Sequence, residues 1–453
     1  MHMNVDPAGI AQVLREQSAG EALLPGDPGY DDAVRGHNHS AKRAPSVVFR
    51  ARDAAGIATA VGIAATHEAA VGVMSTGHSA RTLPDVDLLV LTSELREITI
   101  DPQAGTATVG AGAVWSDIVA AAAPAGLAPL CGSHGSVGAV GYILGGGIGP
   151  LGRQFGFAAD RVRSLEVVTS DGQLLTVDDE HHGDLFWALR GGRHGLGIVT
   201  SITFELVPAA RIVGGSIFFD SENATEIFTE YANWTKAADD DVSSSLAVMR
   251  FPDMEMFGPI LRGRTVVQLE LAHTGDAAAA EAELLGLREW GEVLIDDVRQ
   301  RPFAELVAEI PEGPGWTGAV ALRELAPEAI STMLDIVGPE QHVPFIGMQV
   351  RHLGGAMRET QGAENAVGGR DAEYLVFLLG APVPELIAGP IPQIGAALFT
   401  ALSPWTLDGV AVNFADHLDR SGRTLAWPAA VRARLDEVRE ARDPAGMFRH
   451  ADG

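Results

Sequence analysis

The sequence predicts an α+β protein of two domains, and three observations carry that expectation. A chain of 453 residues is longer than one ordinary hydrophobic core serves, so it is expected to divide. The texture changes near Pro208: glycine clusters crowd the chain before it, notably at residues 130–149 and 191–197, and thin out after it. Apolar spacing switches repeatedly between a period of two and the helical period along both halves. The second half strings strands and helices together in the manner of an antiparallel sheet covered by helices on one face. The expected division is residues 1–208, residues 209–405 and a C-terminal segment, residues 406–453.

Composition narrows the class. Hydrophobic residues make up 46% and charged residues 20%, the balance of a globular chain rather than a disordered one. No stretch approaches the ~20 apolar residues of a membrane helix, and the N-terminus lacks a basic-then-apolar leader pattern. A cytoplasmic protein with no membrane partner is expected. The formal charge of −27 argues against nucleic acid, whose phosphates need a basic footprint. Cys131 is the only cysteine, so no intramolecular disulfide and no cysteine-rich metal site is expected.

Taken in order, the first half begins with a helix at residues 10–17 and a strand at 47–49. Asp53 is placed to cap a helix running to about residue 67, with Ile57, Ala60, Val61 and Ala64 on one face. A strand at 71–74 then delivers a turn of small residues, Ser75-Thr76-Gly77-His78-Ser79, where α/β ligand sites are commonly built. Strands are expected at 87–92, 95–101 and 106–111, a helix to residue 123, a hairpin at 163–177 turning on Asp171-Gly172, a helix at 184–190 and a strand at 198–207. Beyond Pro208 strands are expected at 212–219, 243–250, 265–273, 292–299, 345–353 and 373–379. Helices are expected at 224–238, 277–290, 327–337 and 428–443.

The stretch from Leu130 to Gly149 holds eight glycines in 20 positions. Glycine lets the backbone take positive φ and approach a ligand closely, and N–H groups exposed in this way bind anions such as a pyrophosphate. Linkers are polar, whereas this run carries Val, Ile, Leu and Tyr, so it reads as half of a cofactor cradle. Gly145-Gly146-Gly147-Ile148-Gly149 is followed by no clean amphipathic helix and by no acidic residue about 20 positions on, which disfavours a Rossmann site.

The order of these motifs resembles a known group. Val73-Met74-Ser75-Thr76-Gly77-His78-Ser79, the glycines from Gly110 to Asp117, the 132–149 run and Gly195-Leu196-Gly197-Ile198-Val199-Thr200 are similar to the PCMH-type FAD-binding module of the vanillyl-alcohol-oxidase superfamily. The similarity is greatest to the berberine-bridge-enzyme-like oxidoreductases. Asn413-Phe414 and Asp443-Pro444 to Phe448 resemble that group's C-terminal signature. The resemblance implies FAD, with His78 matching the histidine bonded to the flavin 8α-methyl group. It implies that residues 1–208 bind FAD, that 209–405 form the substrate domain, and that 406–453 return to the first domain. Ser75, Thr76, Gly77 and Ser79, with Gly132, Ser133, His134, Gly138, Gly141, Tyr142, Gly146, Gly147 and Gly149, would surround the pyrophosphate and ring. Gly197, Ile198 and Val199 would meet the adenine part, and Asn413 would return to the flavin.

Three departures matter. Where some members carry a cysteine linked to the flavin 6-position, this chain has His134, and Cys131 lies three residues too early; one covalent bond, through His78, is expected. Met74 replaces an arginine. Ala411 replaces a usual catalytic tyrosine. Hydride transfer from an alcohol or amine carbon to flavin N5 needs a proton acceptor within reach of the substrate. Candidates are Tyr142, Arg351 and His352, although alternation puts Arg351 with Gln349 and Leu353 on one face of its strand and His352 with Met348 and Val350 on the other. The leading reading is an oxidase of a small metabolite, sugar or natural-product intermediate that passes electrons to O2. A dehydrogenase with another acceptor and a flavin-loaded drug-binding protein without turnover stay open beside it.

Overall fold

The computed structural model describes residues 6–18, 20–78, 86–309, 312–414 and 426–448. Three sheets organise them. The first contains β1 (Gly20–Leu23), β2 (Val47–Ala51), β3 (Val71–Met74) and β4 (Leu88–Leu91) in the order β1-β2-β4-β3. β4 runs parallel to both its neighbours, and β1 pairs antiparallel with β2. The helix Ala54–Thr66 connects β2 to β3, and Asp53 caps it by accepting from Gly56 N at 2.7 Å. Its face of Ile57, Ala60, Val61 and Ala64 is fully buried against the sheet, as the helical spacing requires.

The second sheet is antiparallel throughout. Its strands β5 (Ile98–Asp101), β6 (Thr106–Gly110), β7 (Val162–Val168), β8 (Leu174–Val177) and β9 (Ile198–Glu205) take the order β5-β6-β9-β7-β8. The long excursion between β6 and β7 contains the glycine run, so the run is carried from one strand of this sheet to another.

The third sheet holds β10 (Arg211–Asp220), β11 (Val242–Arg250), β12 (Thr265–His273), β13 (Val293–Asp296), β14 (Arg299–Pro302), β15 (Thr317–Leu322), β16 (Phe345–His352) and β17 (Tyr374–Gly380). Its order is β13-β10-β12-β11-β16-β17-β15, with β14 also on β10, and every pairing is antiparallel. Helices Ala224–Trp234, Pro327–Val337 and Pro390–Ala401 cover one face through Phe228, Tyr231, Ile330, Met333, Ile391 and Leu398. The other face turns towards the first half: Ala319, Ala321 and Leu375 share a core with Trp115, Ile143 and Phe204.

Several expected elements change. The strand expected at 292–299 divides into β13 and β14, because Gly215 in β10 takes φ +141° and the two halves pair with β10 on either side of it. The helix expected at 277–290 ends at Leu284 and continues as a tighter turn through Glu289, past Gly286. The helix expected at 224–238 stops at Trp234, and Thr235 Oγ1 turns back to Tyr231 O and the Tyr374 hydroxyl. β15 and the helix Pro390–Ala401 carry little signal of their own. β15 reads Thr-Gly-Ala-Val-Ala-Leu, and its pairing with β17 makes it a strand.

The chain end packs back on the first half. Val412, Trp427 and Leu435 enter the core that holds Trp115, and Val71 N donates to Met447 O at 2.8 Å. Asp443 caps this end by accepting from Met447 N and Phe448 N. No helix among the described residues is long and apolar enough to cross a membrane.

Candidate active site

β3 ends at Met74, and the turn after it is held from two sides. Ser75 Oγ donates to Ala111 O at 2.9 Å, tying the turn to the second sheet. The loop at Gly36–Asn38 zips onto it, with His37 N donating to Thr76 O and Asn38 N to Gly77 O. Gly77 takes φ +68°, and a Cβ there would lie 2.9 Å from Gly36 Cα, so only glycine permits this approach. The turn thereby presents His78. Its ring stacks on His37 with centroids 4.1 Å apart and lies 6.1 Å from His134. His78 Nδ1 is sealed from solvent and meets no hydrogen-bond partner. Burial above all, then His37 and His134, hold its pKa down at about 3, so the ring is a neutral imidazole with a free lone pair at neutral pH. Ser79 lies outside the described residues.

The glycine run meets this turn. Its helix, Ala139–Leu144, starts where a Cβ on Gly138 would be 3.3 Å from Ser75 Oγ, and the space beside Gly141 is open. Other glycines of the run lie close to protein atoms. A Cβ on Gly149 would strike Cys131 O, and Gly132 and Gly147 flank the Tyr142 ring while Gly146 faces Val367. Protein atoms therefore occupy the Cβ side of these four glycines. Tyr142 crosses Trp115 edge-on at 5.4 Å. Its buried hydroxyl lacks a partner, and burial, reinforced by Cys131, raises its pKa well above the ordinary phenol value, so it is a neutral donor. Ser133 O accepts from Ala308 N. The His134 ring is held neutral, at about 4, by burial, Arg351 and His37. Asn413 accepts from Gly147 N and donates to Tyr142 O, each at 3.1 Å, clamping both ends of the turn that follows the helix. Gly197, Ile198 and Val199 open β9, at the seam between the first and second sheets.

Facing the run across a cavity of about 60 Å³ is the polar side of the third sheet. Arg351 and Glu270 both lie opposite Ser245 in the strand register. A directional chain joins them: Arg351 Nε donates to Gln349 Oε1 at 2.6 Å, Gln349 Nε2 to Ser245 Oγ at 2.8 Å, and Ser245 Oγ to Glu270 Oε2 at 3.4 Å. The Arg351 guanidinium rests near the Phe377 and Phe414 rings at about 5.5 Å, a cation–π arrangement.

His352 borders the end of the same cavity, but alternation turns its ring away from Arg351. It stacks on Tyr374, and its Nε2 lies 3.0 Å from Arg153 Nη1. Burial, then Arg153 and Arg358, keep it neutral, at about 3. Arg153 comes from the first half and also donates to Val242 O, Ala238 O and Leu353 O, locking the two halves together. Of the three catalytic candidates, Arg351 and His352 border this cavity, His352 being held in a buried latch with Arg153, while Tyr142 packs on Trp115 beside Gly149, outside that lining. His37 and Arg153 escaped sequence reasoning because neither sits in a motif. Glu270 and Ser245 share a face that alternation along their strands could have revealed.

One further cluster, Asp241, His273 and Glu283, gathers possible cation ligands. His273 Nδ1 accepts from Gly275 N at 3.0 Å, so its proton is on Nε2, which faces Glu283 at 3.2 Å. That is a hydrogen bond, and the site is empty.

The arrangement fits a flavin dinucleotide. A cleft of about 600 Å³ opens beside the 75–78 turn, where Arg50 and Arg96 stand with Asp32, Glu94, Met74 and Ser75, a volume in the range of cofactor pockets. The unpartnered His78 Nδ1 stands in the same turn. Residues 45–178 match the FAD binding domain family. The chain is 28% identical to an FAD-linked oxidoreductase of Bacillus subtilis (strain 168) over 95% of each chain. It is 26% identical to (R)-6-hydroxynicotine oxidase of Paenarthrobacter nicotinovorans, again over 95% of each. In fold it superposes on BBE-like 1 of Physcomitrella patens with a TM-score of 0.83 at 17% identity, covering 98% of this chain and 99% of that one. The chain thus carries an FAD-binding domain, is similar over nearly its whole length to FAD-linked oxidoreductases, and shares the two-domain α+β fold of BBE-like 1.

Proposed function

We propose that the protein is an oxidase of a small alcohol or amine, a metabolite, sugar or natural-product intermediate, with its FAD bonded to His78 alone. The observation that carries this reading is the neutral His78 with a buried, unpartnered Nδ1, beside His134 where a second link would need cysteine. When bound, FAD takes the hydride from the substrate carbon and returns the electrons to O2, giving H2O2.

The chain's own residues bind, orient and exclude water. Residues 1–208 and 406–453 are the FAD-binding part, and residues 209–405 the substrate domain. Backbone N–H groups of Ser75–Gly77, Gly138, Val140 and Gly141 hold the pyrophosphate, as exposed amides hold anions, Ala139 N being taken by Ala113 O. Gly197, Ile198 and Val199 meet the adenine part. Gly132, Ser133, His134, Gly146, Gly147, Gly149 and Asn413 shape the wall around the ring. Arg351, fixed by Gln349, orients the substrate from the opposite side as a permanent cation, and Tyr142 offers a neutral O–H donor. His352 contributes through Arg153, by holding the substrate sheet to the FAD-binding part.

The test is direct. Acid-precipitated protein is expected to stay yellow, and His78→Ala to release its flavin into the supernatant; a colourless wild-type pellet would overturn the covalent bond. Chemically reduced enzyme mixed with air-saturated buffer is expected to recover its flavin colour within seconds, and recovery over minutes would overturn the oxidase reading.

A further inference from the structure

We infer that His37 is a positioning residue for covalent attachment of the flavin: its stacked ring fixes the His78 imidazole and with it the direction in which Nδ1 can attack. The inference rests on the proposed bond at His78. Two observations carry it. The rings are stacked, 4.1 Å between centroids and 28° from parallel, whereas an unconstrained side chain on a turn would rotate. The backbone under them is zipped together as well: His37 N donates to Thr76 O, and Asn38 N to Gly77 O, while Gly313 N donates to His37 O from the far side. The loop carrying His37 is therefore fastened to the turn carrying His78 and to the chain beyond it, so the stack is a fixed feature. Preorganising a reacting group through a packed neighbour removes the rotational freedom that would otherwise slow the step.

The step itself balances. The flavin methyl gives up one proton and Nδ1 bonds to that carbon. The imidazole, now bonded at Nδ1, releases its single N–H proton from Nε2, and the electron pair left on the flavin makes it reduced. Dioxygen then takes both electrons and two protons as H2O2. His37 forms no bond in this sequence. It holds Nδ1 on line, and its stacked ring also disfavours a positive charge on His78.

The experiment follows bound flavin rather than turnover. Full-length wild-type, His37→Ala, His37→Phe and His78→Ala proteins are made in riboflavin-limited cells and given FAD. Acid-precipitable flavin fluorescence is then followed in time, with circular dichroism as a check on folding. His37→Ala is expected to attach flavin at least ten-fold more slowly while still binding it reversibly, and His37→Phe, whose flat ring restores the stack, to recover most of the rate. Attachment by His37→Ala at the wild-type rate would overturn the inference, as would His37→Phe being as slow as His37→Ala. If His37→Ala fails to fold, His37→Phe decides between them: a near-wild-type rate supports stacking, and a ten-fold loss overturns it. Wild-type protein that never retains flavin in acid would instead overturn the bond at His78, and this inference with it.

Discussion

On β16, Met348 and Val350 point into the helix-covered core, where both are fully buried, while Gln349 and Arg351 point at the glycine run across a small cavity. The two sets are one residue apart, and the pleat sends them to opposite sides. Behind the sheet, Val350 packs among Leu246, Val376 and the covering helices, contributing on the order of 2 kcal/mol by burial. In front, the same strand spends its side chains on a polar chain reaching Glu270 through Ser245. Neighbouring β17 and β15 differ again, since their front faces are apolar and pack on the first half. One sheet thus provides a core, a docking surface and a polar wall. The division sets a face that only packs against one that carries polar groups, and the following substitutions test whether stability and activity divide the same way.

The largest effect belongs to the back face. Val350→Asp puts an unpaired carboxylate among helices and is expected to cost about 4 kcal/mol or more, seen as loss of soluble protein or a collapse of Tm. A soluble variant melting near the wild type would show that the faces are wrongly assigned. On the front face, Arg351→Met is expected to leave Tm within about 3 °C yet slow anaerobic flavin reduction by substrate on the order of 100-fold, the usual cost of removing a charged group at a reacting centre. An unchanged reduction rate would remove Arg351 from the reaction.

The smallest effect concerns pH and His352, the polar member of the back face. Its pKa in the fold is about 3, against an ordinary value near 6.5. Between those values the unfolded chain holds a proton that the folded chain does not. Stability must therefore fall as pH drops from about 6.5 towards 3. His352→Met removes that titration, so the fall in Tm from pH 7 to pH 5 is expected to be smaller than in the wild type by roughly 1–3 °C. Equal falls would mean that His352 is not the buried neutral ring.

Local signals in the chain were strong where one element owns its own chemistry. Asp53 and the face from Ile57 to Ala64 specify the helix Ala54–Thr66. The small-residue turn at 75–78 suggests a site only in combination with the glycine run and the motifs that follow it, because a histidine after glycine at a strand end can also be an ordinary loop residue. Gly77 is needed for a contact with Gly36, however, and nothing near Gly36 marks that loop as its partner. The glycine run behaves similarly. Its density points to close approach, but whether the approaching atom belongs to a ligand or to the Tyr142 ring and Cys131 O depends on how the run folds back on itself. β15 is a strand because β17 pairs with it, and no periodicity in its small residues says so.

The sequence by itself determined the FAD-binding character, through its motifs, and the two-domain α+β architecture, the helix-covered sheet and the turn before His78, through side-chain pattern and short-range geometry. Only the tertiary structure decided that His37 stacks on His78, that Arg153 reaches His352 across the two halves, and that Gln349, Ser245 and Glu270 complete a chain with Arg351. Those pairings join residues tens to hundreds of positions apart, and they exist because strand register and loop packing bring them together after the local elements have formed.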